Sequence, residues 1–98
     1  MSYKIVNFLG FECMVVKQNY QSNNKIALEL IDVNDNEPVL IATTNIQGVS
    51  LEDDEVLIKN YSENFGIRQV LMDSKIISKP LEFNINGLDV TKHKLLNI

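Results

Sequence analysis

The residues of this chain best suited to chemistry are few and far apart: one cysteine, Cys13, one histidine, His93, and four consecutive carboxylates, Glu52-Asp53-Asp54-Glu55. A thiol nucleophile needs a base within hydrogen-bond reach. Here the cysteine sits in the apolar run "FECMVV" and the histidine in the polar tail "TKHK", so nothing local unites them, and a buried thiol is inert. Adjacent side chains of an extended segment point to opposite sides, so Glu52, Asp53, Asp54 and Glu55 cannot converge on one cation; catalytic carboxylates come together from separate elements. The stretch "DVNDNE" sets Asp32, Asn34 and Asn36 at the first three ligand spacings of an EF-hand loop. The glycine required at its sixth position is Glu37 and the bidentate glutamate at its twelfth is Thr43, so a polar hairpin turn is the better reading. There is no phosphate-cradling glycine loop and no nucleophile elbow, and Tyr3, Tyr20 and Tyr61 are too scattered for a base-stacking platform. The sequence therefore predicts a protein that is not an enzyme, with no catalytic residue, cofactor or metal site.

Ninety-eight residues suit one domain, 1–98, with a modest core, and the balance of 45% apolar to 22% charged residues is that of a chain that folds. A single cysteine allows no intramolecular disulfide, which fits a reducing, cytoplasmic setting. Glu12 interrupts the apolar N-terminal stretch and no run reaches the ~18 apolar residues of a membrane span, so neither a leader nor a membrane partner is expected. The net charge of −4 is unevenly placed: between Ala27 and Glu63 nine carboxylates face the single cation Lys59. Such a segment repels phosphate, which disfavours direct nucleic-acid binding, and attracts a basic surface on another protein, for example a nucleic-acid-binding host protein.

The elements that must position these groups follow from periodicity. "FECMVVKQNY", "KIALELI" (Ile26, Leu28 and Leu30 on one face) and "PVLIATTNI" read as three neighbouring strands, joined by the turn clusters "QSNN" and "VNDNEP" into an antiparallel meander. "EVLIKN" reads as a fourth strand. One helix is then predicted over about residues 62–74, with Phe65, Val70 and Leu71 at helical spacing, Ile67 beside them, and Asn60 or Ser62 as cap. Gly66 is a misfit in a helix interior, where it costs about 1 kcal/mol relative to alanine; it marks a late helix start or a close contact. Asn86-Gly87 between alternating apolar residues predicts a C-terminal type I′ hairpin, with Ile85 opposite Leu88, Phe83 opposite Val90 and Glu82 opposite Thr91. The fold class is α+β: an antiparallel sheet of about five or six strands, meander plus C-terminal hairpin, with one helix on one face.

The tract "LEDDEVLIKNYSENFGI" resembles a small uncharacterised domain family of plasmids, conjugative elements and phages whose strand-to-helix core reads D-E-V-x-I-K-[DN]-Y-S-E-N-x-G. The matching positions are Asp54, Glu55, Val56, Ile58, Lys59, Asn60, Tyr61, Ser62, Glu63, Asn64 and Gly66. The resemblance implies a mobile-element setting rather than a mechanism. Together with the acidic segment it leads to the expectation of a non-enzymatic binding protein that docks on a basic partner, an immune nuclease being the concrete case, through Glu52, Asp53, Asp54, Glu55, Tyr61, Glu63 and Asn64. The alternative is an element-maintenance factor that associates with replication or transfer machinery or with nucleic acid.

Overall fold

The computed structural model describes residues 3–96. Its strands are β1 (Lys4–Phe8), β2 (Phe11–Asn19), β3 (Ile26–Asp32), β4 (Pro38–Ile41), β5 (Glu55–Lys59) and β6 (Val90–Lys94), with one α-helix, α1 (Ile67–Asp73), preceded by a 3-10 turn at Ser62–Asn64. The class is α+β, as the periodicity predicts. The first four strands form an antiparallel meander in the order β1-β2-β3-β4, and β5 pairs with β6 in a second antiparallel sheet. Beyond the end of β4 the chain leaves β3 for β5. Ala42 N–H donates to the Leu28 carbonyl at 2.8 Å, while the Ala42 carbonyl accepts from Lys59 N–H at 2.9 Å and Thr44 N–H donates to the Leu57 carbonyl at 3.0 Å. Ala42 is thus the point where one sheet hands over to the other.

Period-2 alternation turns Val6, Phe8, Cys13, Val15, Ile26, Leu28, Leu30 and Leu40 toward one core, which is completed by Val56 and Ile58 of β5 and by Ile67 and Leu71 of α1. β1, formed by "KIVNF", is a strand beyond those that the periodicity predicts and adds to the near edge of the meander. A second, smaller cluster joins Leu57, Ile85 and Val90 on the other side of the β5–β6 ribbon. That is why "EVLIK" reads as a continuous apolar run: its three central residues are buried on two faces.

The helix begins later than residue 62. Gly66 is its N-cap in the left-handed region at φ 94°, and a Cβ there would lie 3.9 Å from Cε1 of Phe8. The late helix start is therefore the reading that holds, since 3.9 Å is ordinary van der Waals contact, and Phe65, expected on the buried face, is instead 76% exposed on the joint before the helix. Two turns of helix are too short to persist alone. Ile67 and Leu71, both fully buried, fasten α1 to the core, and Val70 packs beside them.

The C-terminal hairpin requires correction. Asn86 (φ 57°) and Gly87 (φ 74°) do adopt positive φ and Leu88 N–H donates to the Ile85 carbonyl at 3.2 Å, so the local turn forms. The ladder beyond it does not. Val90 pairs with Lys59 of β5, Phe83 and Leu88 face solvent, and Glu82 bridges Lys92 rather than Thr91. Burying a side chain of this size stabilises by about 1.5–3 kcal/mol, and β5 offers fully buried partners that the short hairpin lacks.

Candidate functional site

The acidic turn is partly consumed by its own architecture. Glu55 Oε1 accepts from Glu52 N–H at 2.9 Å while Glu55 N–H donates to the Glu52 carbonyl at 3.0 Å, closing the turn reciprocally before β5. Asp54 takes the Lys94 ammonium at 3.2 Å, and its carbonyl accepts from Leu95 N–H at 2.7 Å. Glu52 and Asp53 remain exposed, and among the described residues no ion pair engages them. They border a cleft of about 390 Å³ whose other wall carries Lys17 and Lys25. The same end of the molecule thus holds both signs of charge.

Tyr61 and Glu63 lie elsewhere. β5 separates them from the acidic turn by five residues, roughly 16 Å at the rise of an extended chain. Around them Lys59 Nζ sits 5.2 Å from the Tyr61 ring centroid and 3.1 Å from Glu63 Oε1. The Ser62 hydroxyl, the Glu63 backbone N–H and Lys59 together hold the Glu63 carboxyl down to about 2. Asn64, expected on the partner surface, is 1% exposed: its Nδ2 donates to the Ile41 carbonyl at 2.8 Å, and its Oδ1 is a buried acceptor with no partner among the described residues. Its removal from the candidate surface follows from geometry, since the 3-10 turn points it inward against β4. The expected site therefore divides into an acidic turn, a Tyr61–Lys59–Glu63 cluster and a buried structural amide.

Most positions of the "DEVLIKNYSENFG" tract have an architectural task. Val56 and Ile58 fill the core, Lys59 pairs with Glu63, Asn64 ties the joint to β4, and Gly66 supplies the left-handed residue that starts the helix. Neither Asn60 nor Ser62 is the N-cap of α1, a place taken by Gly66, but Asn60 still serves the first turn from eight residues upstream of Arg68: its Oδ1 accepts from Arg68 N–H at 2.9 Å. The intervening loop folds back so that the acceptor need not be adjacent.

The sequence reading missed a polar relay behind β6. Arg68, the one arginine of the chain, donates from Nη1 to Asp89 Oδ1 at 2.8 Å and makes a longer 3.4 Å bond to Thr91 Oγ1. Thr91 Oγ1 lies 2.7 Å from His93 Nε2, and His93 Nδ1 lies 2.8 Å from the Ser78 carbonyl. Because a carbonyl can only accept, Nδ1 carries the imidazole proton, and Nε2 accepts from the threonine hydroxyl. Burial pushes the fully buried His93 below its ordinary value, and the Arg68 charge adds to the effect. Both ring nitrogens are thereby engaged within the frame. The legible signal was the alternation Asp89, Thr91, His93, a polar stripe on one side of a strand. Cys13 is buried as expected, and burial followed by the Asp32 charge pushes its thiol up.

Compared with known protein families, with curated proteins and with solved structures, the chain matches none of them. The site must be judged on its own geometry. No helix among the described residues is long and apolar enough to cross a membrane.

Proposed function

We propose that this is a non-catalytic binding protein of a mobile genetic element that acts by protein–protein contact, its acidic turn meeting a basic surface such as the nucleic-acid groove of a host defence nuclease. The observation that carries the contact is the state of Glu52 and Asp53, two adjacent carboxylates held on a closed turn, exposed and free of ion pairs among the described residues. A rigid pair of that kind costs little to order on binding and steers a basic partner from a distance. The mobile-element setting rests on the resemblance of residues 54–66. The alternative, nucleic-acid binding through a lysine face, has less support: Lys59, Lys92 and Lys94 share one face of the β5–β6 ribbon, but each is paired, with Glu63, Glu82 and Asp54 respectively.

The test is a double reversal, Glu52→Lys with Asp53→Lys, which spares the Asp54–Lys94 pair. Against a partner captured from host cells, the reversed protein should associate about tenfold more slowly at low salt, with the difference shrinking at high salt and the melting temperature unchanged. Equal association rates at low salt would refute the acidic-turn contact. Salt-sensitive DNA binding by the unaltered protein would favour the alternative.

A further inference from the structure

Of the twelve asparagines in the chain, only Asn86 precedes a glycine. That pairing carries a chemistry of its own. The side-chain amide of an asparagine is an electrophile for the backbone nitrogen of the next residue, and the approach is hindered chiefly by that residue's side chain, which Gly87 lacks. The fold decides whether such a pair reacts, because the nitrogen must reach Cγ and solvent must reach both. Asn86 and Gly87 are exposed, and a Cβ on Gly87 would meet nothing within 4 Å. The amides of Asn19, Asn23, Asn45, Asn60 and Asn64 are instead held in hydrogen bonds, and each precedes a residue with a side chain.

The missing hairpin ladder supplies the freedom to react. Asn86 sits at φ 57° and ψ 28°, where Gly87 N–H donates to the Asn84 carbonyl at 3.1 Å, so ring closure must rotate ψ and release that bond. In a closed hairpin the rotation would also disturb the flanking strand pairs. Here Phe83 and Leu88 are exposed, and strand pairing resumes only at Glu82, bridged to Lys92, and at Val90, paired with Lys59. The turn therefore opens for about the loss of one backbone hydrogen bond, with Ile85 left in its cluster.

We propose that Asn86 is a site of spontaneous deamidation, which proceeds in the folded protein through a succinimide formed with Gly87. The Gly87 nitrogen, its proton lost to solvent base, bonds to Asn86 Cγ. The Cγ–Nδ2 bond breaks, and Nδ2 leaves as ammonia with a proton taken from water. Water then opens the ring. Addition at Cγ leaves an aspartyl residue, whereas addition at the backbone carbonyl carbon leaves the chain running through Cβ and Cγ as isoaspartyl. One water is consumed and one ammonia released, with no change of oxidation state. Either product places a carboxylate beside a cleft of about 470 Å³ that also holds the Glu82–Lys92 pair, and adds one negative charge to a chain already at −4.

The test incubates the folded chain at neutral and at mildly alkaline pH and follows ammonia release and the masses of proteolytic fragments. The fragment containing Asn86 should gain the mass difference between an amide and an acid before any other fragment does. It should yield two separable products, one of which coelutes with the same fragment from Asn86→Asp. Ammonia should appear in equal amount and faster at the higher pH, and Asn86→Gln should abolish the early conversion. A synthetic peptide of residues 82–90 sets the unrestrained rate, and the folded chain should convert within about tenfold of it, the effect of one backbone hydrogen bond. Earlier conversion at another asparagine, or a single product with no isoaspartyl form, would overturn the inference. So would a folded-state rate more than about a hundredfold below the peptide's, since one hydrogen bond cannot hold the turn so firmly and the fold would then be locking it.

Discussion

Asn60 shows how much of the strand-to-helix joint rests on one side chain. Buried at 6% exposure, it accepts from Arg68 N–H at 2.9 Å, donates through Nδ2 to Asp89 Oδ2 at 3.3 Å, and donates its backbone N–H to the Asp89 carbonyl at 3.0 Å. Alanine at this position would strip the start of α1 of its side-chain acceptor and leave a sheltered Arg68 N–H unpaired. The expected loss is about 1–2 kcal/mol, the range for a helix cap or an orphaned buried donor. Urea unfolding should show it as a lower midpoint with an unchanged slope. A midpoint within error of the parent would mean that α1 draws its stability from Ile67 and Leu71 alone.

At the level of the elements, α1 ends in a Schellman motif. Lys75 N–H donates to the Met72 carbonyl at 3.0 Å and Ile76 N–H to the Leu71 carbonyl at 3.0 Å, while Ile76 and Leu71 are both fully buried. The residue that turns the chain is Lys75 at φ 61°, where glycine is the usual choice. Left-handed strain in an L-residue costs roughly 1–2 kcal/mol, part of which glycine returns as unfolded-state entropy. Lys75→Gly should therefore raise stability by up to about 1 kcal/mol. A fall in the thermal midpoint would show that the lysine side chain contributes contacts that outweigh the strain.

For the molecule as a whole, the titratable groups predict stability lost to acid. His93 is neutral in the fold and held below its ordinary value of 6.5, so the unfolded chain takes up a proton first as pH falls. Its contribution is complete above 6.5 and declines as pH drops from there through the folded value. Asp89, lowered chiefly by its hydrogen bond from Arg68, and Glu63, lowered to about 2 chiefly by the Ser62 hydroxyl, lose their contributions only below the ordinary carboxylate range. Two steps are expected: a decline in melting temperature beginning near pH 6.5 and a second below pH 4. Protonated His93 could no longer accept from Thr91 and would set a second cation near Arg68. A melting temperature flat from pH 7 to 5 would show that His93 titrates alike in both states.

The meander strands and the existence of one helix were legible because they depend on local terms. Period-2 alternation in "KIALELI" and the turn residues of "QSNN" and "VNDNEP" leave little choice of conformation, and helical spacing around Val70 and Leu71 does the same for α1. Buriedness of polar residues was not legible. Asn64 reads as a surface residue of an acidic joint and His93 as part of a polar tail, yet each is enclosed by segments distant in the chain, β4 in one case and Ser78 in the other. Turn geometry failed in both directions. Asn86-Gly87 formed the expected turn without its hairpin, whereas Leu9-Gly10 formed a hairpin turn that its leading residue disfavours. Local preferences of about 1 kcal/mol per residue bias the chain toward its elements. Burying whole side chains at about 1.5–3 kcal/mol each decides which elements meet, and that sum exists only once distant segments have found each other.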